Sequence, residues 1–149
     1  MYTSKEMQVV AVTNRSLCHR PFPEQLEMVC QTHPAFIILR EKDLPAQEYE
    51  KLAAQVLELC HSYEVPCVLH TYPDAARALG CTSIHLPLPL LREYAHELDG
   101  FTQIGSSVHS VEDAMEAERL GATYVTAGHV YVTDCKKGLA PRGLDFLRN

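Results

Sequence analysis

Short apolar runs alternate along this chain with longer amphipathic stretches, and the alternation predicts its architecture. Six runs read as strands: Val9-Val10-Ala11-Val12, Ala35-Phe36-Ile37-Ile38-Leu39, Pro66-Cys67-Val68-Leu69-His70, Ser83-Ile84-His85-Leu86, Thr102-Gln103-Ile104 and Thr123-Tyr124-Val125-Thr126-Ala127. Most are continuous rather than alternating, the pattern of parallel strands covered on both faces. The stretches between them have helical spacing. Tyr49, Leu52, Val56, Leu59, Cys60 and Tyr63 recur every three or four residues and make one apolar stripe. Leu91, Tyr94, Ala95 and Leu98 repeat that spacing. Ser110-Val111-Glu112-Asp113 reads as a capping box that opens a helix running to Leu120, with Gly121 supplying the C-terminal turn. Leu26, Val29 and Cys30 support a first helix, and Ala75, Ala76 and Leu79 a short third one.

Six β/α steps follow one another with no composition break, so a single domain over residues 1–149 is expected. Alternating elements of this kind build a parallel sheet, open or closed into a barrel, and the pattern alone does not choose between the two. A complete eight-fold barrel needs about 200 residues or more. This sequence ends at Arg148-Asn149, early in what would be its sixth helix.

Composition narrows the partners. A hydrophobic share of 46% and a charged share of 21% are ordinary globular values. The net charge of -6 argues against nucleic acid or an anionic membrane surface, both of which call for basic patches. A small phosphorylated ligand needs only a few local donors and stays open. The six cysteines form no CxxC, which leaves no zinc ribbon or redox dithiol to propose. The chain opens Met1-Tyr2-Thr3-Ser4-Lys5-Glu6 with no apolar run, and no stretch approaches the ~20 apolar residues of a membrane span. Reduced thiols in the cytoplasm are the expectation.

In parallel α/β architectures ligands bind beyond the carboxyl ends of the strands. The polar residues there are Thr13-Asn14-Arg15, Arg40-Glu41-Lys42-Asp43, His70-Thr71, His85, Ser106-Ser107-Val108-His109 and Gly128-His129. Arg40 and Lys42 offer two cations to a phosphate or pyrophosphate, although a surface charge cluster would read the same way. Ser106 and Ser107 can donate to an anion or simply form a turn. Lys136 and Lys137, next to Gly138, suit a basic loop over a ligand or an ordinary solvated loop. His129 is poised to move a proton near neutral pH, with Gly128 clearing space beside it. His70, His85 and His109 match no short metal-ligand spacing, and no metal or other cofactor is assigned.

Val12-Thr13-Asn14-Arg15, Leu39-Arg40-Glu41-Lys42-Asp43 and Ile84-His85-Leu86 occur in the order seen in the thiamin phosphate synthase/TenI family, which this chain resembles throughout. The stretch from Ile104 to Leu144 resembles the TenI branch most: Gly105-Ser106-Ser107-Val108-His109-Ser110, Gly121-Ala122, Gly128-His129-Val130-Tyr131, Thr133-Asp134-Cys135-Lys136-Lys137-Gly138 and Pro141-Arg142-Gly143-Leu144.

The resemblance implies an α/β fold of the (β/α)8-barrel type, incomplete here because the last two β/α units are missing. It implies a thiazole tautomerase, an isomerase that aromatises a thiazole carboxylate phosphate without metal. His129 would be the acid/base, and Tyr131 stands where Phe is usual. Arg40, Lys42, Ser107 and Lys136 carry over as contacts to a small phosphorylated thiazole. The family's synthases use magnesium, with an Asn-Asp pair after the third strand and an aspartate beyond the fourth. His70-Thr71 and Leu90 stand at those places, so the resemblance favours the tautomerase over the synthase. A non-catalytic family member is the third reading. Six strands leave two open edges, which a second copy of the chain could cover as a homo-oligomer. A fragment or a shortened gene would leave the same edges.

Overall fold

The computed structural model describes residues 6–128, 130 and 140–148. The chain divides into two compact units, Met1–Ser83 and Ile84–Asn149.

The first unit holds β1 (Val10–Val12), α1 (Phe22–Gln31), β2 (Phe36–Leu39), α2 (Ala46–Ser62), β3 (Cys67–His70) and α3 (Pro73–Ala78). Its strands pair in parallel, with Val12 opposite Ile38 and Leu39 opposite Leu69. The α2 stripe buries Tyr49, Ala53, Val56 and Cys60, spaced by four, three and four residues, against the apolar runs of β2 and β3. Tyr49 does more than fill space. Its hydroxyl donates to the Leu39 carbonyl at 2.6 Å and accepts from the His70 N–H at 2.8 Å. One buried phenol thus fixes the carboxyl ends of β2 and β3 together, and burial pushes its pKa up. The cysteines among the described residues are free thiols, and burial pushes that of Cys30 up to about 12.

The second unit holds β4 (Ser83–Pro87), which starts at the boundary, then α4 (Leu88–Tyr94), β5 (Gln103–Val108), α5 (Val111–Arg119), β6 (Tyr124–Ala127) and α6 (Asp145–Arg148). β5 and β6 pair in parallel from Gly105 opposite Tyr124 to Val108 opposite Ala127. Ser110 caps α5 as expected, its Oγ accepting the Asp113 N–H at 3.0 Å, while the Asp113 carboxylate takes the N–H of His109, one residue before the cap, at 3.0 Å. Gly121 follows the helix at φ +102°, a conformation that favours glycine.

β5 extends to Val108, four residues past the apolar run that predicted it. Gly105, Ser106 and Ser107 have weak strand preference, but a parallel neighbour supplies the hydrogen bonds that hold them extended. The strands follow chain order, β1-β2-β3 in the first unit and β4-β5-β6 in the second. The fold class is the expected one, α/β with parallel strands, of the incomplete (β/α)8-barrel type. β1 and β6 carry exposed apolar side chains, Val12 at 55% and Val125 at 41%, where β2, β3 and β4 are almost wholly buried. No helix among the described residues is long and apolar enough to cross a membrane.

Candidate functional site

Two groups of polar side chains gather at strand exits, one in each unit. In the first unit, β1 runs out into Thr13-Asn14-Arg15 and β2 into Arg40-Glu41-Lys42-Asp43. Glu41 is buried at 4% exposure, and three donors surround its carboxylate. Thr13 Oγ1 donates to Oε2 at 2.6 Å, and the Arg15 N–H and Nη1 both donate to Oε1 at 2.9 Å. Arg15 turns its guanidinium edge to Asp43, at 3.2 and 3.0 Å. That hydrogen bond holds the Asp43 carboxyl below its ordinary value. Thr13 closes the group by accepting the Arg40 N–H at 3.0 Å.

These residues line a cavity of about 570 Å³ made by Asn14, Arg15, Ser16, Arg40, Glu41, Lys42 and Asp43. Three cations and two carboxylates face it, and Arg15 engages both carboxylates. Arg40 makes no ion pair among the described residues. The half-buried Arg40 and the exposed Lys42 leave the cavity with surplus positive charge, suited to an anion.

In the second unit the central side chain is His85, 2% exposed. Its Nδ1 lies 3.0 Å from the Tyr124 hydroxyl and its Nε2 lies 2.8 Å from Ser107 Oγ. Thr126 Oγ1 donates to Ser107 Oγ at 3.3 Å. Burial pushes the Tyr124 phenol up, so it keeps its proton across the physiological range. Along β5, Gly105 and Ser107 share this face, whereas Ser106 points to the other. Ser106 is fully buried, and its hydroxyl has no hydrogen-bond partner among the described residues.

Of the sequence-predicted contacts, Arg40 and Lys42 come together at one cavity and Ser107 enters the His85 group. His129 and Lys136 lie outside the described residues. His70, His85 and His109 form no metal-holding group among the described residues: His70 Nδ1 bonds Thr71 Oγ1 at 2.6 Å, His85 bonds Tyr124 and Ser107, and His109 is exposed. Sequence reasoning placed Arg15, Glu41 and His85 among the strand-exit polar residues without assigning them a contact, and did not single out Tyr124. Glu41 sits between two cations in sequence and reads as solvated. His85 and Tyr124 are 39 residues apart and no local spacing links them.

The magnesium that the resemblance implies for synthases would need hard oxygen ligands at the β3 and β4 exits. β3 ends at His70, 3% exposed, Thr71 follows it, and α4 begins at Leu88, so Leu90 lies within that helix. Thr71 adopts φ +76°, costly for a β-branched residue but readily adopted by Asn or Asp. The backbone turn suits a carboxamide or carboxylate, while the side chains supply an imidazole, a hydroxyl and an apolar group. Asp74, nearby in sequence, is exposed in the first turn of α3. These residues do not fit a hard divalent cation.

A family model described as thiamine monophosphate synthase matches residues 9–149. A thiamine-phosphate synthase of Clostridium acetobutylicum is 30% identical over 97% of this chain and 70% of its own length. One from Clostridium novyi is 31% identical over 92% of this chain and 69% of its own. Among solved structures, a thiamine phosphate pyrophosphorylase from Pyrococcus furiosus superposes with a TM-score of 0.77 at 28% identity, covering 95% of this chain and 67% of that one. These relatives carry the name of a synthase, a transferase, which overturns the expectation of an isomerase. The family model covers the motif stretch from Ile104 to Leu144 along with the rest of the chain, so that stretch does not by itself single out the tautomerase branch.

Proposed function

This chain belongs to the thiamine monophosphate synthase family, and we propose that it works there as a synthase joining a phosphorylated thiazole to a pyrimidine pyrophosphate. In that transfer the thiazole nitrogen bonds to the pyrimidine methylene carbon as the carbon–oxygen bond breaks. Pyrophosphate leaves with the electron pair. The observation that supports the reading is the β2 exit, where Arg15 engages both carboxylates and Arg40, which makes no ion pair among the described residues, can meet phosphate oxygens. Charge on the leaving group falls to Arg40, because the residues at the β3 and β4 exits do not fit a hard divalent cation. Ser107 is the proposed ligand contact of the second unit.

The poor fit to magnesium favours a second reading, a family member that binds phosphorylated substrates without joining them. Incubation with both substrates in EDTA, with chromatography for thiamin phosphate, separates the two when calorimetry with the thiazole phosphate runs beside it. Product in EDTA supports the metal-free synthase. Product only with added magnesium would mean that metal ligands come from elsewhere in the chain. Binding without product supports the second reading. Folded protein that neither binds nor reacts refutes both.

A further inference from the structure

The His85 group has a direction, and that direction assigns a role. A neutral imidazole has one nitrogen that donates and one that accepts, so its tautomer and the hydroxyls around it are set together. Tyr124 keeps its proton, and a phenol buried against a ring nitrogen is a better donor than acceptor. Its O–H therefore points to Nδ1, and the ring hydrogen sits on Nε2, directed at Ser107 Oγ. Thr126 sends a second hydrogen bond to the same oxygen. With two donors arriving, the two lone pairs of Ser107 are taken. Its own hydrogen points away from both, ready for an acceptor.

Gly105 shows how closely this arrangement is built. A Cβ there would lie 2.1 Å from Tyr124 Cζ, 2.3 Å from the Tyr124 hydroxyl oxygen and 2.5 Å from His85 Nδ1. The Tyr124–His85 hydrogen bond occupies the volume that any other residue at 105 would fill. The two rings stack at a tilt of 45°, their centroids 5.6 Å apart.

We infer that His85 is a positioning residue, which through its Nε2–H fixes Ser107 as a hydrogen-bond donor to an anionic oxygen of the substrate. This rests on the reading above, in which Ser107 touches a phosphorylated ligand. His85 itself does not meet the substrate. The reversed tautomer would spend the Ser107 hydrogen on the ring and leave only an acceptor, the wrong polarity for a phosphate.

The test has two parts, both on the full chain. Long-range 1H–15N spectra of the histidine side chains report the tautomer without any ligand. Hydrogen on Nε2 of His85 is expected, and hydrogen on Nδ1 overturns the inference. Calorimetry with the thiazole phosphate then compares His85→Ala, Ser107→Ala and the double variant, with folding checked by circular dichroism. Each single change should weaken binding about five- to tenfold, and the double change no more than either. Losses that multiply in the double variant overturn the positioning role. Tyr124→Phe removes one oxygen only and keeps the test open if His85→Ala fails to fold. It should weaken binding about two- to fivefold in the wild-type background and not at all beside Ser107→Ala, while an unchanged affinity counts against the inference. An unaltered chain that does not bind the thiazole phosphate sinks the ligand-binding reading and the ligand half of this inference together. Binding with multiplying losses sinks the positioning role alone.

Discussion

The β2 exit and the His85 group solve the same problem, holding polar groups still at a strand end, with opposite materials. At the β2 exit the work is done by charge: Arg15 spans two carboxylates, one buried and one 71% exposed. Around His85 the described bonds are those of a buried imidazole and three hydroxyls, and geometry replaces charge. A charged group of this kind tolerates water at its rim, because ion pairs there are screened rather than broken. A buried neutral group does not, because each donor must find its acceptor or lose a bond. The first should therefore answer to pH and salt, and the second to shape.

The largest effect should come from Glu41→Ala. It removes a buried carboxylate that receives three hydrogen bonds and strands Thr13 and the Arg15 N–H. Urea unfolding should show a loss of about 2–3 kcal/mol. Gly105→Val tests shape in the other region. The added carbons meet Tyr124 and His85, and a loss of about 1–3 kcal/mol is expected. Replacing Tyr124 by Ala in the same chain should return part of that loss, because the clash is with its ring. A full loss in the double variant would place the strain elsewhere.

Ser106→Ala sharpens the comparison from within β5. The hydroxyl is buried without a partner among the described residues, so its removal should leave stability unchanged or raise it by up to about 1 kcal/mol. The smallest effect is that of pH on Asp43. Its folded pKa lies below the ordinary 3.8, so its contribution is complete above that value and fades as pH falls through the lowered one. Asp43→Asn should lower stability slightly at pH 7, where the contribution is complete, and the difference from the unaltered chain should vanish as pH falls through the lowered pKa. Thermal melts from neutral pH down through that range decide it, and a difference that persists undiminished at the lowest pH would contradict the assignment.

All six strands were legible in the sequence, because continuous apolar runs such as Phe36–Leu39 have few other uses in a chain of this composition. Strand ends were harder to read. The tract Gly105-Ser106-Ser107 looks like a turn, and only pairing with Tyr124, Val125 and Thr126 of β6 makes it a strand. The charged half of the site was visible because Arg40 and Lys42 are neighbours in sequence. Of the neutral half only Ser107 was singled out: the His85, Ser107 and Tyr124 side chains meet across separations of 22 and 39 residues, and His85 and Tyr124 alone read as ordinary strand residues. The activity was the least legible, since motifs at strand exits mark where a family does its chemistry before they mark which reaction it performs.

Arg15 joins the segment after β1 to the segment after β2, and Thr13 joins them again through Glu41 and the Arg40 N–H. Two connecting segments fastened in this way lose their independent motion when the chain folds. An anion that reaches Arg40 then meets a wall already ordered, and little conformational entropy is left to lose on contact. Affinity at this exit should thus depend on how well the wall is held as much as on the cations that touch the ligand.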